Sequence, residues 1–216
     1  MAEIGNFVPP ADVGSALYDD DVNGIIRRAL RLGRPEEPIA FYGSSSFFFW
    51  TRLCEDLGCL DAVNLGFGGG TYATALHYFD RLLMPLKPSR IVLYFGENDI
   101  SNDGLTAHST FARFEKLIEK IEASFGKIPV FCLSTKQSPA KWIYADEVRQ
   151  FNALVAERCA SAGHLHFVDV GSSLIGENGK PMSKYYVADR IHITEGAYGL
   201  WARILKATPG LLTSGS

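Results

Sequence analysis

Four short stretches hold side chains and backbone suited to acyl transfer. Gly43-Ser44-Ser45-Ser46 puts hydroxyls directly after an apolar run, Pro38-Ile39-Ala40-Phe41-Tyr42. Gly66-Phe67-Gly68-Gly69-Gly70-Thr71 is a loop lean enough in side chains to present backbone N–H groups. Gly96-Glu97-Asn98-Asp99 adds a side-chain amide. Asp189-Arg190-Ile191-His192 sets an imidazole three residues after a carboxylate, just before a helix. A hydroxyl needs a base to become a nucleophile, and the oxyanion that follows needs donors. Of the five histidines, His166 alternates within a strand, and His77, His108 and His164 read as helix-surface or loop residues. His192 differs, because a carboxylate at that spacing can reach its Nδ1 and leave Nε2 to face a serine.

The elements that must position these residues alternate strand with helix. An amphipathic helix is expected over 19–32 and a strand over 38–43, followed by one helix from 46 to 57. Further strands are expected at 62–65, 90–95, 129–133 and 165–170. Helices are expected at 72–83, 108–124, 145–161 and 194–207, with a hairpin turn at Glu177-Asn178-Gly179-Lys180. Arg90-Ile91-Val92-Leu93-Tyr94-Phe95 is apolar on both faces, as a central parallel strand is. The pattern implies an α/β fold: a three-layer α/β/α sandwich of about five parallel strands. It is read as one domain over 1–216, with an irregular arm at 1–13. In such a sheet the serine, glycine and asparagine segments share the carboxyl rim, where open α/β sheets bind ligands.

Composition excludes several function classes. At 47% hydrophobic and 21% charged residues the chain is a globular protein, and a net charge of −3 gives no footprint for nucleic acid. No run is long enough to insert stably in a membrane, and the first residues carry neither a basic nor an apolar signal region, so a cytoplasmic location is expected. The four cysteines, Cys54, Cys59, Cys132 and Cys159, lack metal-binding spacing and read as reduced structural thiols.

The four stretches, in this order and spacing over about 38–205, resemble the conserved blocks of the SGNH (GDSL-type) hydrolases. Gly43-Ser44-Ser45 is similar to the Gly-Asp-Ser block with serine replacing aspartate. Asn64 to Thr71 is similar to the glycine block, Gly96 to Asp99 to the Gly-x-Asn-Asp block, and Asp189 to His192 to the terminal Asp-x-x-His block. The Gly-Ser-Ser-Ser form resembles a bacterial subgroup, whose usual Ile-Arg-Leu-Trp continuation is here Phe47-Phe48-Phe49-Trp50. The resemblance implies a flavodoxin-like strand order, Ser45 as nucleophile, His192 as base and Asp189 as its partner. It implies an oxyanion hole of the Ser45 and Gly69 backbone N–H groups and the Asn98 side chain. It implies cleavage of small-molecule carboxylic esters through an acyl-enzyme. The aromatic block Phe47–Trp50 and the lack of a lid-like insertion suggest short to medium acyl groups, and a site that itself supplies nucleophile, base and electrophile calls for no metal or other cofactor. Carbohydrate O-deacetylation, thioester or lysophospholipid cleavage, and a non-catalytic binding role on the same scaffold are the alternatives. Phe47, Phe48, Trp142 and Tyr144 are candidate pocket residues, and Lys136, beyond the fourth strand, a candidate contact for a polar substrate. Gly43-x-Ser45-x-Phe47 lacks the second glycine of the nucleophile elbow, which sets this chain apart from α/β-hydrolases of that type.

Overall fold

The computed structural model describes residues 19–31 and 36–212. The expected arm at 1–13 lies outside them. Five strands, β1 (Ile39–Gly43), β2 (Ala62–Asn64), β3 (Arg90–Tyr94), β4 (Val130–Leu133) and β5 (Leu165–Val168), form one sheet in the order β2-β1-β3-β4-β5. All pairings are parallel, with Ile39 beside Ala62 and Gly43 beside Tyr94. This is the flavodoxin-like order, and its topological switch lies between β1 and β3.

Period-two alternation sorts the strand residues into two cores. Ala40, Tyr42, Ile91 and Leu93 face one side, under α1 (Asp19–Arg31), α4 (Tyr72–Leu82), α6 (Ala107–Phe125) and α7 (Ala145–Ala160). Ile39, Phe41, Val92 and Tyr94 face the other, with Trp50 and Leu53 and with Trp201 of α8 (Glu195–Ala207). Thr71 and Thr74 form a reciprocal capping box that starts α4, and the Thr106 hydroxyl accepts the Ser109 N–H to start α6. The hairpin turn forms, with Ile175 bridged antiparallel to Pro181. Cys132 on β4 and Cys159 on α7 are buried in the same core, and all four cysteines are free thiols.

The single helix expected over 46–57 is instead two, α2 (Ser45–Phe48) and α3 (Leu53–Leu57). Long-range bonds interrupt it. Asn64 Nδ2 donates to the carbonyls of Phe47 (2.7 Å) and Trp50 (3.2 Å), and the Trp50 indole, stacked on Tyr198, donates to Asp56 at 2.7 Å. The asparagine block opens a short helix, α5 (Glu97–Ser101). No helix among the described residues is long and apolar enough to cross a membrane.

Candidate active site

The β1 strand ends at Gly43, and Ser44 occupies the N-cap position of α2, although its hydroxyl makes no capping bond. Ser45 is the first helical residue, so its N–H has no acceptor within the helix. Ser44 and Ser46 are buried while Ser45 is partly exposed, so among the three it is the hydroxyl a ligand can reach. The backbone behind it is fastened: Ser44 N–H donates to Tyr94 O at 3.0 Å, and the Tyr198 hydroxyl donates to Ser46 O at 2.9 Å.

The Asp189–His192 segment is a compact turn. Asp189 Oδ1 accepts the N–H groups of Ile191 (2.8 Å) and His192 (2.9 Å), while Oδ2 lies 2.6 Å from His192 Nδ1. His192 Nε2 lies 3.0 Å from Ser45 Oγ. A carboxylate on Nδ1 puts the ring proton there, so Nε2 is the acceptor toward the hydroxyl. Such burial as Asp189 has works to raise its pKa, but the bonds from the His192 ring and the two N–H groups outweigh it and hold the carboxyl down at about 2. The ring of Phe49 packs edge-on against the imidazole, centroids 4.7 Å apart.

Across the crevice, Asn98 on α5 is buried. Its Nδ2 donates to Gly70 O at 3.0 Å, and its Oδ1 accepts from Lys141 Nζ at 3.1 Å. Gly70 packs so closely against the serine segment that a Cβ there would stand 3.2 Å from Ser44 Cα. Gly69, beside it, has φ +63°, a conformation that glycine adopts without strain. Ser44, Gly70 and Asn98 are thus contiguous, and the serine, glycine and asparagine stretches meet at the switch between β1 and β3. Asp99 points away from the crevice. It accepts the N–H of Tyr72 at 3.1 and 3.2 Å and faces Arg113 at 3.3 Å.

Two expected substrate contacts are corrected. Phe47 is fully buried between Phe41 and Tyr94 and has no surface to offer a ligand. Lys136 is buried and ion-paired with Glu97; burial alone would lower its pKa, but Glu97 and Tyr94 outweigh that and raise it. Trp142 is partly buried and Tyr144 exposed, both on a 3-10 turn, Pro139–Tyr144. Neither lines the cleft of about 660 Å³ beside His192, whose walls include Phe49, Arg52, Asp56, Val187 and Glu195. Among the described residues no cluster of three His, Cys, Asp or Glu side chains is arranged to hold a metal ion. Two contributors were not foreseen from the sequence: Asn64, which shapes the break after α2, and Lys141. Asn64 sits inside the recognised glycine block, so the signal was present there; Lys141 acts 43 positions from its partner and carries none.

A parallel α/β/α sandwich with a hydroxyl–imidazole–carboxylate chain on its carboxyl rim has the frame of an acylhydrolase. Residues 33–200 match the sequence model of the GDSL-like lipase/acylhydrolase family, and the chain belongs to that family, whose members are generally ester hydrolases. The fold is shared with a Streptococcus pneumoniae protein provisionally described as a platelet activating factor (21% identity, TM-score 0.76, 87% of this chain and 90% of that one). It is shared with a GDSL-like lipase of Bacteroides thetaiotaomicron (22%, TM-score 0.69, 86% and 95%). An acetylxylan esterase of Geobacillus stearothermophilus, solved as a catalytic mutant, is similar at 14% identity, TM-score 0.61, 78% and 91%. Among curated proteins no sequence matches.

Proposed function

We propose that this chain is a serine esterase that hydrolyses small carboxylic esters through an acyl-enzyme on Ser45. The observation that carries the reading is the unbroken run from Asp189 through His192 to Ser45, at 2.6 and 3.0 Å. Ser45 Oγ attacks the acyl carbon as its proton passes to His192 Nε2. The imidazolium formed is balanced by Asp189, which stays ionised across the working pH range because its carboxyl is held at about 2. The oxyanion lies against the Ser45 N–H and the Asn98 amide; the family resemblance adds the Gly69 N–H. Collapse breaks the bond to the alcohol oxygen, which takes the proton from Nε2. A water then repeats both steps and releases the acid, leaving Ser45 and His192 as they began.

The alcohol leaves on the imidazole side, where the cleft carries Asp56, Asp189 and Glu195 against one guanidinium, Arg52. That excess of carboxylate suits an uncharged alcohol better than a phosphorylated one, which favours simple or sugar esters over coenzyme-type thioesters.

The test is a panel of esters graded in acyl length and alcohol, with Ser45→Ala as control. Acetyl to butyryl esters of neutral alcohols should be turned over fastest. Ser45→Ala should lower kcat by about 10⁶ and abolish labelling by a fluorophosphonate. Labelling that survives in Ser45→Ala refutes the assignment.

A further inference from the structure

Lys141 is the one cation that touches the amide of Asn98 among the described contacts. Its Nζ lies 3.1 Å from Asn98 Oδ1 and 3.2 Å from Asn102 Oδ1, at the edge of the buried Glu97–Lys136 pair. The other end of the same amide donates to Gly70 O at 3.0 Å. These two partners allow the amide only one orientation. Turned over, it would set an oxygen against the Gly70 carbonyl and an NH₂ against the ammonium. With one N–H on Gly70, the second N–H of Nδ2 is left for a ligand.

We propose that Lys141 is a positioning residue for the oxyanion site: held on the carbonyl oxygen of Asn98, it locks the amide's orientation and strengthens its remaining N–H as a donor. The inference rests on the esterase reading above. A cation on the oxygen of an amide draws charge away from its nitrogen, and in a site withdrawn from water that polarisation is not screened. Lys141 is half-buried, and desolvation, set against Glu97 and reinforced by Lys136, holds its pKa below the ordinary lysine value, as expected where water does not compete freely for the ammonium.

The backbone is built for this contact. Lys141 interrupts the 3-10 turn Pro139–Tyr144 with φ −111° and ψ 22°, and the residue before it, Ala140, donates its N–H to Arg190 O at 3.1 Å. One turn therefore grips the amide through a side chain and the Asp189–His192 loop through its backbone. Replacing the lysine side chain removes the first grip and leaves the second, so the two can be separated by mutation.

The experiment is a double-mutant cycle with p-nitrophenyl acetate on Lys141→Met, Asn98→Ala and the pair. Lys141→Met should lower kcat about tenfold, a fraction of the ~10²–10³ expected of a whole oxyanion donor, with KM unchanged. Lys141→Arg should recover kcat to within about threefold, since it restores the charge. On the Asn98→Ala background the lysine substitution should cost less than about twofold, because nothing remains for it to polarise. Should Lys141→Met fold poorly, Lys141→Gln carries the same expectation, as it keeps a donor and loses the charge. A full rate in Lys141→Met, or a tenfold loss that persists in the double variant, overturns the proposal while leaving the esterase reading intact. A wild type no faster than Ser45→Ala on every ester instead defeats the esterase reading, and this inference with it.

Discussion

Asp189 and Asp99 belong to the two walls of one crevice, Asp99 turned away from it into the core, and their surroundings push them in opposite directions. The side chain of Asp189 is 44% exposed and held by three local hydrogen bonds, which bring its carboxyl down to about 2. Asp99 is 0% exposed, and burial drives its carboxyl up to about 7 although Arg113 and the Tyr72 N–H oppose it. The same contrast runs through the two walls. On the imidazole side, Asp189, Ile191 and His192 hold one another within four residues of chain. On the amide side, Asn98 depends on Gly70, 28 positions away, and on Lys141, 43 positions away. One wall is local and half-solvated; the other is non-local and dry. The first should lose activity without losing stability, and the second should lose both.

Asp189→Asn should break the local wall most severely. Asparagine Oδ1 can still accept the N–H groups of Ile191 and His192, so the turn survives, but its NH₂ then donates to His192 Nδ1, which puts the ring proton on Nε2, and no charge is left to balance the imidazolium. We expect kcat to fall about 10³–10⁴-fold with an unchanged melting temperature. Steady-state kinetics beside calorimetry checks both halves, and a large drop in stability would show that this wall is not independent of the core.

Asn98→Ala addresses the dry wall. On the oxyanion role proposed for Asn98, its loss should lower kcat about 10²–10³-fold with little change in KM. The side chain is buried, and its removal strands the Gly70 carbonyl and the Lys141 ammonium, so stability should also fall, by about 1–3 kcal/mol. Urea unfolding with activity on the same preparation tests the pairing of effects. A kcat loss with no stability loss would make the two walls alike.

This division also explains how much could be read in the sequence. The parallel sheet follows from Arg90 to Tyr94 being apolar on both faces, and Asp189 with His192 is legible because a turn of four residues contains its own geometry. Ser45 and Asn98 are legible as strand-end residues, since the topology alone brings β1 and β3 side by side. What three-dimensional packing decides was not legible. The helix expected through Phe49 breaks because Asn64 takes the Phe47 and Trp50 carbonyls, a tertiary effect that overrides local helical periodicity. Phe47 looked available to a substrate because its aromatic neighbours look alike in sequence; the first turn of α2 sends Phe47 into the core and leaves Phe49 48% exposed against His192. Lys136 and Lys141 are five residues apart on the same rim, and only burial distinguishes the one bound by Glu97 from the one left for Asn98.

The mildest expected effect on activity concerns Asp99, whose contribution is read in stability alone. Two features of this residue point in different directions. A guanidinium at 3.3 Å favours a charged carboxylate, whereas complete burial favours a neutral one. Burial is the stronger here, because Arg113 has a closer partner in Asp103, at 2.7 Å, and so gives Asp99 only part of its charge. A folded pKa near 7 against about 3.8 unfolded means that the native state holds a proton the unfolded chain has released between about pH 4 and 7. Stability from this group is therefore present at the acid end of that window and declines as pH rises through 7, by at most about 1.4 kcal/mol per pH unit. Asp99→Asn keeps an acceptor for the Tyr72 N–H and cannot titrate. The stability of wild type relative to Asp99→Asn should accordingly fall between pH 5 and pH 8, while kcat differs by no more than about threefold, since Asp99 faces Tyr72 and Arg113 rather than the crevice. Urea unfolding of both proteins across that range decides it. A relative stability that is flat or rises with pH would mean that Asp99 is ionised throughout and paired with Arg113, and the dry wall would then hold a buried ion pair where we expect a proton.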